Sequence, residues 1–277
     1  MTIAPTDGLL PPLQPAAAIT GKAIRRIVIE QSKRAGVGHI GSALSVADLV
    51  AAIYTHGLRP TRPDDPDRDR FVVSKGHAVL AVYAALHRLG RLTQADLDGY
   101  CADASLLGVH PEHALAGIDF STGSLGQGLS IGAGAALAAR LAGSSRRVFV
   151  LMSDAECNEG AVWEAAMFAA HHHLGALAAV IDLNGQQAMG ATDEILSLSP
   201  MAERWRAFGW DVHEVDGHDH AALGATLAGL GRERPHVLVA RTVFGKGISY
   251  MERQLKWHYL PMSDDDYRRA VSELEAG

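Results

Sequence analysis

The stretch VFVLMSDAECNEGAVWEA, residues 148–165, joins three patterns that together decide the fold. Its first residues form a continuous apolar run, which is typical of a buried strand. The polar segment SDAECNEG, residues 153–160, follows directly, and a helical pattern then begins. Because ligands of parallel α/β sheets bind at the carboxyl ends of the strands, the sequence predicts a binding site at this polar segment.

Strand and helix alternate along most of the chain. We predict strands at 69–74, 147–152, 177–182, 210–215 and 235–241. We predict helices at 20–35, from Ser45 onward, and at 77–89, 93–100, 126–141, 159–173, 200–208 and 220–230. This order favours an α/β fold with a parallel sheet, and the continuous apolar strands indicate that helices cover both of its faces.

The ends of the chain differ in composition. Residues 1–18 hold four prolines and no periodicity, so we expect a flexible N-terminal arm. No low-complexity segment, repeat or linker follows. Residues 19–277 are therefore interpreted as a single domain.

Bulk composition excludes several classes of protein. The chain has 277 residues, is 48% hydrophobic and 20% charged, and carries a formal charge of −6, which argues against binding nucleic acid. No apolar run approaches the roughly 20 residues of a membrane span, and no secretory signal is recognisable. Cys101 and Cys157 lie far apart without metal-type spacing. We therefore expect a reduced, cytoplasmic protein.

Two polar residues follow neighbouring strands of the expected sheet. Asp154 and Asn184 are one strand–helix–strand step apart, so adjacent parallel strands place them side by side. A carboxylate, an amide oxygen and a main-chain carbonyl are hard ligands that suit Mg²⁺ or Ca²⁺. The helix that begins near Asn158 offers free N–H groups to phosphate oxygens. The alternative, that the acidic residues merely cap a helix, stays open on Asp154 alone.

Histidines recur beside glycine or proline in loop contexts, where binding chemistry is common. These positions are His39, His77, His110 and His258, in GHIGS, SKGHA, GVHPE and KWHYL. A glycine-rich turn, STGSLGQG at residues 121–128, opens the helix at 126–141. The tract HHH at residues 171–173 is interpreted as the cationic end of a helix, because consecutive helical positions face different ways.

Taken together, these motifs resemble the transketolases. The segments GHIGSALSVADLVAAIY, DRDRFVVSKGHA, GVHPE, STGSLGQGLSIGAGAALA and SDAECNEGAVWEAAMFAA stand in the family's order, and the resemblance runs from about Ala23 to His258. It implies the diphosphate-binding module of the thiamine-diphosphate fold. The family commonly has Gly-Asp-Gly where this chain has Ser153-Asp154-Ala155, and His-Gly where it has His258-Tyr259.

The resemblance also implies roles for individual residues. Asp154, Asn184 and the carbonyl of Gln186 would bind Mg²⁺, for which Ca²⁺ or Mn²⁺ could substitute. The implied cofactor-binding residues are His77, Gly123, Ser124, Leu125, Asp154, Ala155, Glu156, Asn184 and His258. The implied catalytic residues are His39, His77, His110 and His258 around the ketose donor, and Glu159 in a proton-linked network at the subunit interface.

Full-length transketolases also contain a pyrimidine-binding domain and a C-terminal domain, so the resemblance implies a split transketolase. Its N-terminal subunit would transfer a two-carbon ketol unit from a ketose to an aldehyde, together with a partner chain that carries the pyrimidine-binding domain. We expect an α2β2 assembly, with the helix at 126–141 and the Glu159 region between the two copies. In that helix Gly132, Ala133, Ala136 and Ala139 would allow close approach; the alternative is that the helix packs only inside its own domain. The alternatives are the α subunit of a 2-oxo-acid dehydrogenase and a catalytically silent cofactor-binding subunit.

Overall fold

Parallel strands form the centre of the molecule. The computed structural model describes residues 19–62 and 64–276. The strands are β1 (Arg70–Val73), β2 (Val148–Ser153), β3 (Leu177–Leu183), β4 (Gln186–Gln187), β5 (Gly190–Ala191), β6 (Asp211–Asp216) and β7 (His236–Arg241). The main sheet has the order β1-β2-β3-β7-β6 and is parallel throughout, whereas β4 and β5 form a separate antiparallel hairpin. The predicted parallel α/β sheet is confirmed.

Helices surround this sheet. They are α1 (Gly21–Ala35), α2 (Ile40–Ser45), α3 (Ala47–Ala52), α4 (Val79–Arg88), α5 (Gln94–Asp98), α6 (Gln127–Leu141), α7 (Gly160–His171), α8 (Thr192–Leu196), α9 (Met201–Ala207), α10 (His220–Ala228) and α11 (Asp264–Ala276). Thr20 caps α1, accepting a hydrogen bond from the amide of Ala23 at 3.1 Å. Across the described ranges, none of these helices is long and apolar enough to cross a membrane.

Both faces of the sheet are covered, which explains the continuous apolar strands. On β2, Phe149 and Leu151 belong to one buried cluster with α1, α3 and α4. Val150 and Met152 belong to a second cluster with α6, α7 and α9. Because successive side chains of a strand point to opposite faces, neither face of β2 can be polar.

The helix predicted from Ser45 begins earlier than expected. Residues 40–57 form α2, α3 and a π-helical turn, and His39 precedes α2 with a φ of 59°. Its left-handed backbone turns the chain directly into the helix without a side-chain cap, so the usual start signal is missing from the sequence. The hairpin β4–β5 and the helices α8 and α11 are further elements that the sequence reasoning did not predict. The expected arm, residues 1–18, lies outside the described residues.

The close approach expected for the small residues of α6 is made within the chain. A β-carbon on Gly132 would lie 2.4 Å from Cγ2 of Val150 on β2. Ala133, Ala136 and Ala139 are buried as well. This face of α6 packs against the sheet of its own chain and is therefore not available to a second copy. The prediction that these four residues contact a second copy was wrong.

Candidate active site

Asp154 and Asn184 lie at the carboxyl ends of the adjacent strands β2 and β3. The register pairs Ser153 with Asp182, so the two following segments leave the sheet side by side. The Asp154 carboxylate is fully buried and accepts hydrogen bonds from the amides of Ala155 at 2.9 Å and Gly185 at 2.8 Å. The two polar residues are therefore brought to one crevice.

The electrostatic setting of Asp154 is unfavourable for a bare carboxylate. Its pKa is raised to about 6, mainly by burial and then by the nearby charge of Asp182, although its backbone hydrogen bonds lower it. Both raising effects act against the negative form. A divalent cation beside the carboxylate would reverse this balance and favour ionisation.

Asn184 is held from both ends of its amide. Its Oδ1 accepts a hydrogen bond from the amide of Gln186 at 2.9 Å. Its Nδ2 donates to Asp182 at 2.7 Å and to Ser45 at 3.3 Å. These partners fix which atom is oxygen and turn it towards the start of the hairpin, where Gln186 lies in β4.

A buried ion pair beneath the crevice escaped the sequence reasoning. Lys75 donates to the Asp182 carboxylate, and the two side chains are 1% and 0% exposed. Asp182 also accepts hydrogen bonds from the hydroxyls of Ser45 at 2.6 Å and of Thr242. A signal existed, because an aspartate inside an apolar strand must have a partner.

Three of the singled-out histidines form a cluster, which we call the histidine cluster. The ring centroids of His39, His77 and His258 lie 5.2 to 5.4 Å apart. Burial lowers the pKa of each, that of His258 to about 4, and the charge of Lys75 adds to this effect at His77 and His258. The cluster is therefore neutral at pH 7. The charge of Lys75 also lowers the pKa of Asp154, so one buried ammonium influences both the cluster and the carboxylate.

His110 lies next to this cluster rather than inside it. Its Cδ2 would be 3.1 Å from a β-carbon on Gly76 and 3.2 Å from one on Gly123. One edge of the ring therefore packs between the SKGHA segment and the glycine-rich turn, while the residue as a whole is exposed. Glycine at both positions leaves room for it.

The glycine-rich turn is fastened to the polar segment. Gly126 has a φ of 88° and its amide donates to Glu156 at 2.8 Å. The buried Glu156 carboxylate also accepts from Ser74 and from the amide of Ser153 at 3.3 Å, and burial raises its pKa. Glu156 therefore bonds to the turn that carries Gly123, Ser124 and Leu125, while Glu159 lies exposed beside Gly126.

The remaining histidine motif lies elsewhere. His171 is the last residue of α7, so the tract 171–173 lies at the end of a helix as predicted. The His172 ring packs on Phe168 with centroids 4.3 Å apart. Within the described ranges, no group of three or more His, Cys, Asp or Glu side chains is placed to hold a metal.

The crevice nevertheless fits a cation with a polar cofactor. Its donor set is one carboxylate with amide and main-chain oxygens, which hard cations prefer. Nδ1 of His39 is buried without a hydrogen-bond partner among the described residues. Because an orphaned buried polar atom is costly, it is consistent with a bound polar group that completes the site.

Comparison with known proteins gives a consistent result. Residues 17–275 match the family model described as transketolase, thiamine diphosphate binding domain. The chain is 39% identical over 254 residues to an apulose-4-phosphate transketolase subunit of Phocaeicola vulgatus, covering 90% of each protein. It is 38% identical over 257 residues to 6-deoxy-6-sulfo-D-fructose transketolase subunit SqwG of a Clostridium species, covering 91% of this chain and 94% of that one.

Solved structures show the same fold. The transketolase of Campylobacter jejuni superposes with a TM-score of 0.87 at 26% identity, over 94% of this chain and 43% of that chain. The Pichia stipitis transketolase in complex with sedoheptulose-7-phosphate gives 0.86 at 28% identity, over 95% and 41%. The chain thus spans less than half the length of these transketolases and about nine tenths of the subunit-type relatives.

Proposed function

The chain belongs to the transketolase family, in its thiamine diphosphate-binding part, and on this premise we propose that it is the N-terminal subunit of a split transketolase. It would transfer a two-carbon ketol unit from a ketose to an aldehyde acceptor. The observation that carries the proposal is the pairing of a buried Asp154 carboxylate and Asn184 at adjacent strand ends with three histidine rings packed 5.2 to 5.4 Å apart. The relatives named above are transketolase subunits, which favours this function over a 2-oxo-acid dehydrogenase.

The residues at the strand ends would hold the cofactor through a metal ion. Asp154, Asn184 and the Gln186 carbonyl would bind Mg²⁺, with Ca²⁺ or Mn²⁺ as substitutes, and the metal would bind the diphosphate. Bound thiamine diphosphate supplies the electron sink that cleavage of a carbon–carbon bond requires. The turn with Gly123, Ser124 and Leu125 would line the cofactor's rings.

The histidines would act on the sugar. A neutral imidazole can both donate and accept a hydrogen bond, so His39, His77 and His258 can orient donor hydroxyls and move protons near pH 7. His110 would reach the same donor from the GVHPE segment, beside the glycine-rich turn. Replacing one such group by alanine is expected to lower turnover by about 10²–10⁴-fold.

A partner chain is part of the proposal. The relatives named as subunits support it, and the solved transketolases are more than twice as long as this chain. The partner would carry the pyrimidine-binding domain and complete each active site. Both cysteines are free thiols, which supports the cytoplasmic location expected from the sequence.

We infer an α2β2 assembly in which α6 and α7 meet their counterparts through outward faces. Leu141, Met167 and Phe168 are 78%, 53% and 40% exposed there, although each is apolar. Closed two-fold assemblies are the commonest way to cover such a face. Light scattering of the wild-type complex tests the assembly, and a stable, active one-to-one pair would contradict it. Met167→Glu is expected to separate the two copies, and a variant complex that stays α2β2 would contradict this contact.

The function is tested by combining the chain with a second polypeptide that carries a pyrimidine-binding domain, encoded by a neighbouring reading frame. Ketol transfer is measured for a panel of ketoses and ketose phosphates with aldehyde acceptors. We expect activity only for the combination, with thiamine diphosphate and Mg²⁺ both required. Turnover by the chain alone would contradict the split assembly. Cofactor binding without turnover on any donor would favour the catalytically silent alternative.

A further inference from the structure

Tyr259 makes a contact that joins two separate parts of the crevice. It follows His258 directly, and its hydroxyl donates a hydrogen bond to the main-chain carbonyl of Ala188. Ala188 lies in the turn of the hairpin β4–β5, 71 residues away along the chain. The Tyr259 side chain is half exposed, so it reaches the hairpin across the surface of the molecule.

One end of this contact is fixed to the histidine cluster. The rings of Tyr259 and His258 meet edge to face with centroids 5.0 Å apart. The amide of His39 donates to the carbonyl of His258 at 3.2 Å. The Tyr259 carbonyl packs so closely on Gly38 that a β-carbon there would lie 2.4 Å from it. The backbone of Tyr259 therefore has little freedom to move.

The other end is a segment with little structure of its own. Each strand of the hairpin has two residues, and Met189 in its turn is 73% exposed. Isolated two-stranded hairpins are marginal in water, so contacts outside the hairpin must decide where it lies. Its base is attached to the crevice, because the Gln186 amide donates to Asn184. Gln187 of β4 also donates to Asn158 at 3.4 Å, and the turn itself accepts a hydrogen bond from Tyr259.

We propose that Tyr259 is a positioning residue, a latch that holds the hairpin β4–β5 against the histidine cluster. This inference rests on the proposed function, in which Gln186 of the hairpin presents a metal-binding carbonyl. With the hydroxyl in place, the hairpin stays over the crevice and Gln186 stays beside Asn184. Without it, the hairpin samples open positions and the metal–diphosphate group escapes more readily.

The first test measures the hairpin itself and needs no cofactor. Amide hydrogen exchange of residues 185–192 is compared between the wild type and Tyr259→Phe, which removes only the hydroxyl. The matched control is Tyr250→Phe, because the Tyr250 hydroxyl also donates to a main-chain carbonyl, that of Asp266 in α11 rather than in the hairpin. Loss of one hydrogen bond is expected to speed exchange in the hairpin about three- to tenfold in Tyr259→Phe and not in the control.

The second test measures the consequence for binding. In the complex with its partner, Tyr259→Phe is expected to weaken Mg²⁺-dependent binding of thiamine diphosphate by about three- to tenfold, by calorimetry, with Tyr250→Phe unchanged. Unaltered hairpin exchange in Tyr259→Phe would overturn the latch. Faster exchange with unaltered affinity would overturn its role in positioning the metal ligand. A wild-type complex that binds no cofactor would instead refute the proposed function, while the exchange result would still decide the latch.

Discussion

Removing the Lys75 ammonium should destabilise the fold strongly, because it leaves the Asp182 carboxylate buried and uncompensated. Both side chains are at most 1% exposed, so water cannot replace the lost partner. Breaking a buried pair on one side typically costs about 3–5 kcal/mol. Asp182 would retain hydrogen bonds from Ser45, Thr242 and Asn184, which places Lys75→Met near the lower end, at about 3 kcal/mol.

The converse variant, Asp182→Asn, should cost more. In the described part of the chain, the Lys75 ammonium donates its hydrogen bond to the Asp182 carboxylate, and this variant replaces that carboxylate by a neutral amide. We expect a loss of about 4–5 kcal/mol. The double variant should be less destabilised than the sum of the two, with a coupling of at least about 2 kcal/mol, because it removes both charges together.

Denaturant unfolding of the purified chain, followed by circular dichroism, measures all three variants. Arg26→Gln is the control, since Arg26 pairs with Glu30 and Glu275 through side chains that are 35% to 66% exposed, and such pairs contribute less than about 1 kcal/mol each. A loss below about 1 kcal/mol for Lys75→Met, or strict additivity in the double variant, would refute the argument from burial.

Three other measurements probe the crevice and the packing around it. The pKa of His258 is lowered from 6.5 to about 4, so the unfolded chain binds more protons than the folded chain between these pH values. The stability that His258 contributes should therefore be full above pH 6.5 and fall towards pH 4. In unfolding measured across that window, His258→Gln should reduce this fall by about 1–2 kcal/mol, after allowance for the partial exposure of the ring. Asp154→Ala should abolish Mg²⁺-dependent binding of thiamine diphosphate in calorimetry of the complex, while His172→Ala should leave it unchanged; equal affinities would reject the metal assignment. Gly132→Ala should lose about 1–3 kcal/mol of stability, because its β-carbon would meet Val150 at 2.4 Å. Gly134→Ala, on the open side of α6, should gain up to about 1 kcal/mol. Thermal unfolding that reverses this order of stabilities would contradict the packing of α6.

The sheet and the position of the crevice could be predicted because their signals are local. The strands β2, β3 and β7 are apolar runs that are long enough to be recognised as strands, and both of their faces are buried. Asp154 and Asn184 stand directly after two of them, so parallel pairing alone brings the residues together. Only their order along the chain was needed for this step.

The parts that were missed depend on contacts across long separations or on very short elements. Lys75 and Asp182 are 107 residues apart, and no local pattern links a lysine in a loop to an aspartate in a strand. The hairpin β4–β5 has two residues in each strand, too few for any periodicity. The helix α11 was missed although the sequence contains a start signal for it, because Ser263 stands before three acidic residues. The Ser263 hydroxyl does accept a hydrogen bond from the amide of Asp266 at 3.1 Å.

In the proposed function, the Lys75–Asp182 pair faces two electrostatic demands in one crevice. The histidine cluster must stay neutral to hydrogen-bond a sugar, and the ammonium lowers the pKa of His77 and His258. Asp154 has to be negative to bind a cation; the same ammonium lowers its pKa, but burial and the charge of Asp182 raise it more. A free buried lysine would do both but at a prohibitive cost of desolvation, which the Asp182 carboxylate offsets. Asp182 also accepts a hydrogen bond from the Asn184 amide, but its charge raises the pKa of Asp154 more than the ammonium lowers it. The ion pair therefore favours neutral histidines and a fixed Asn184, while ionisation of Asp154 needs a further positive charge beside it.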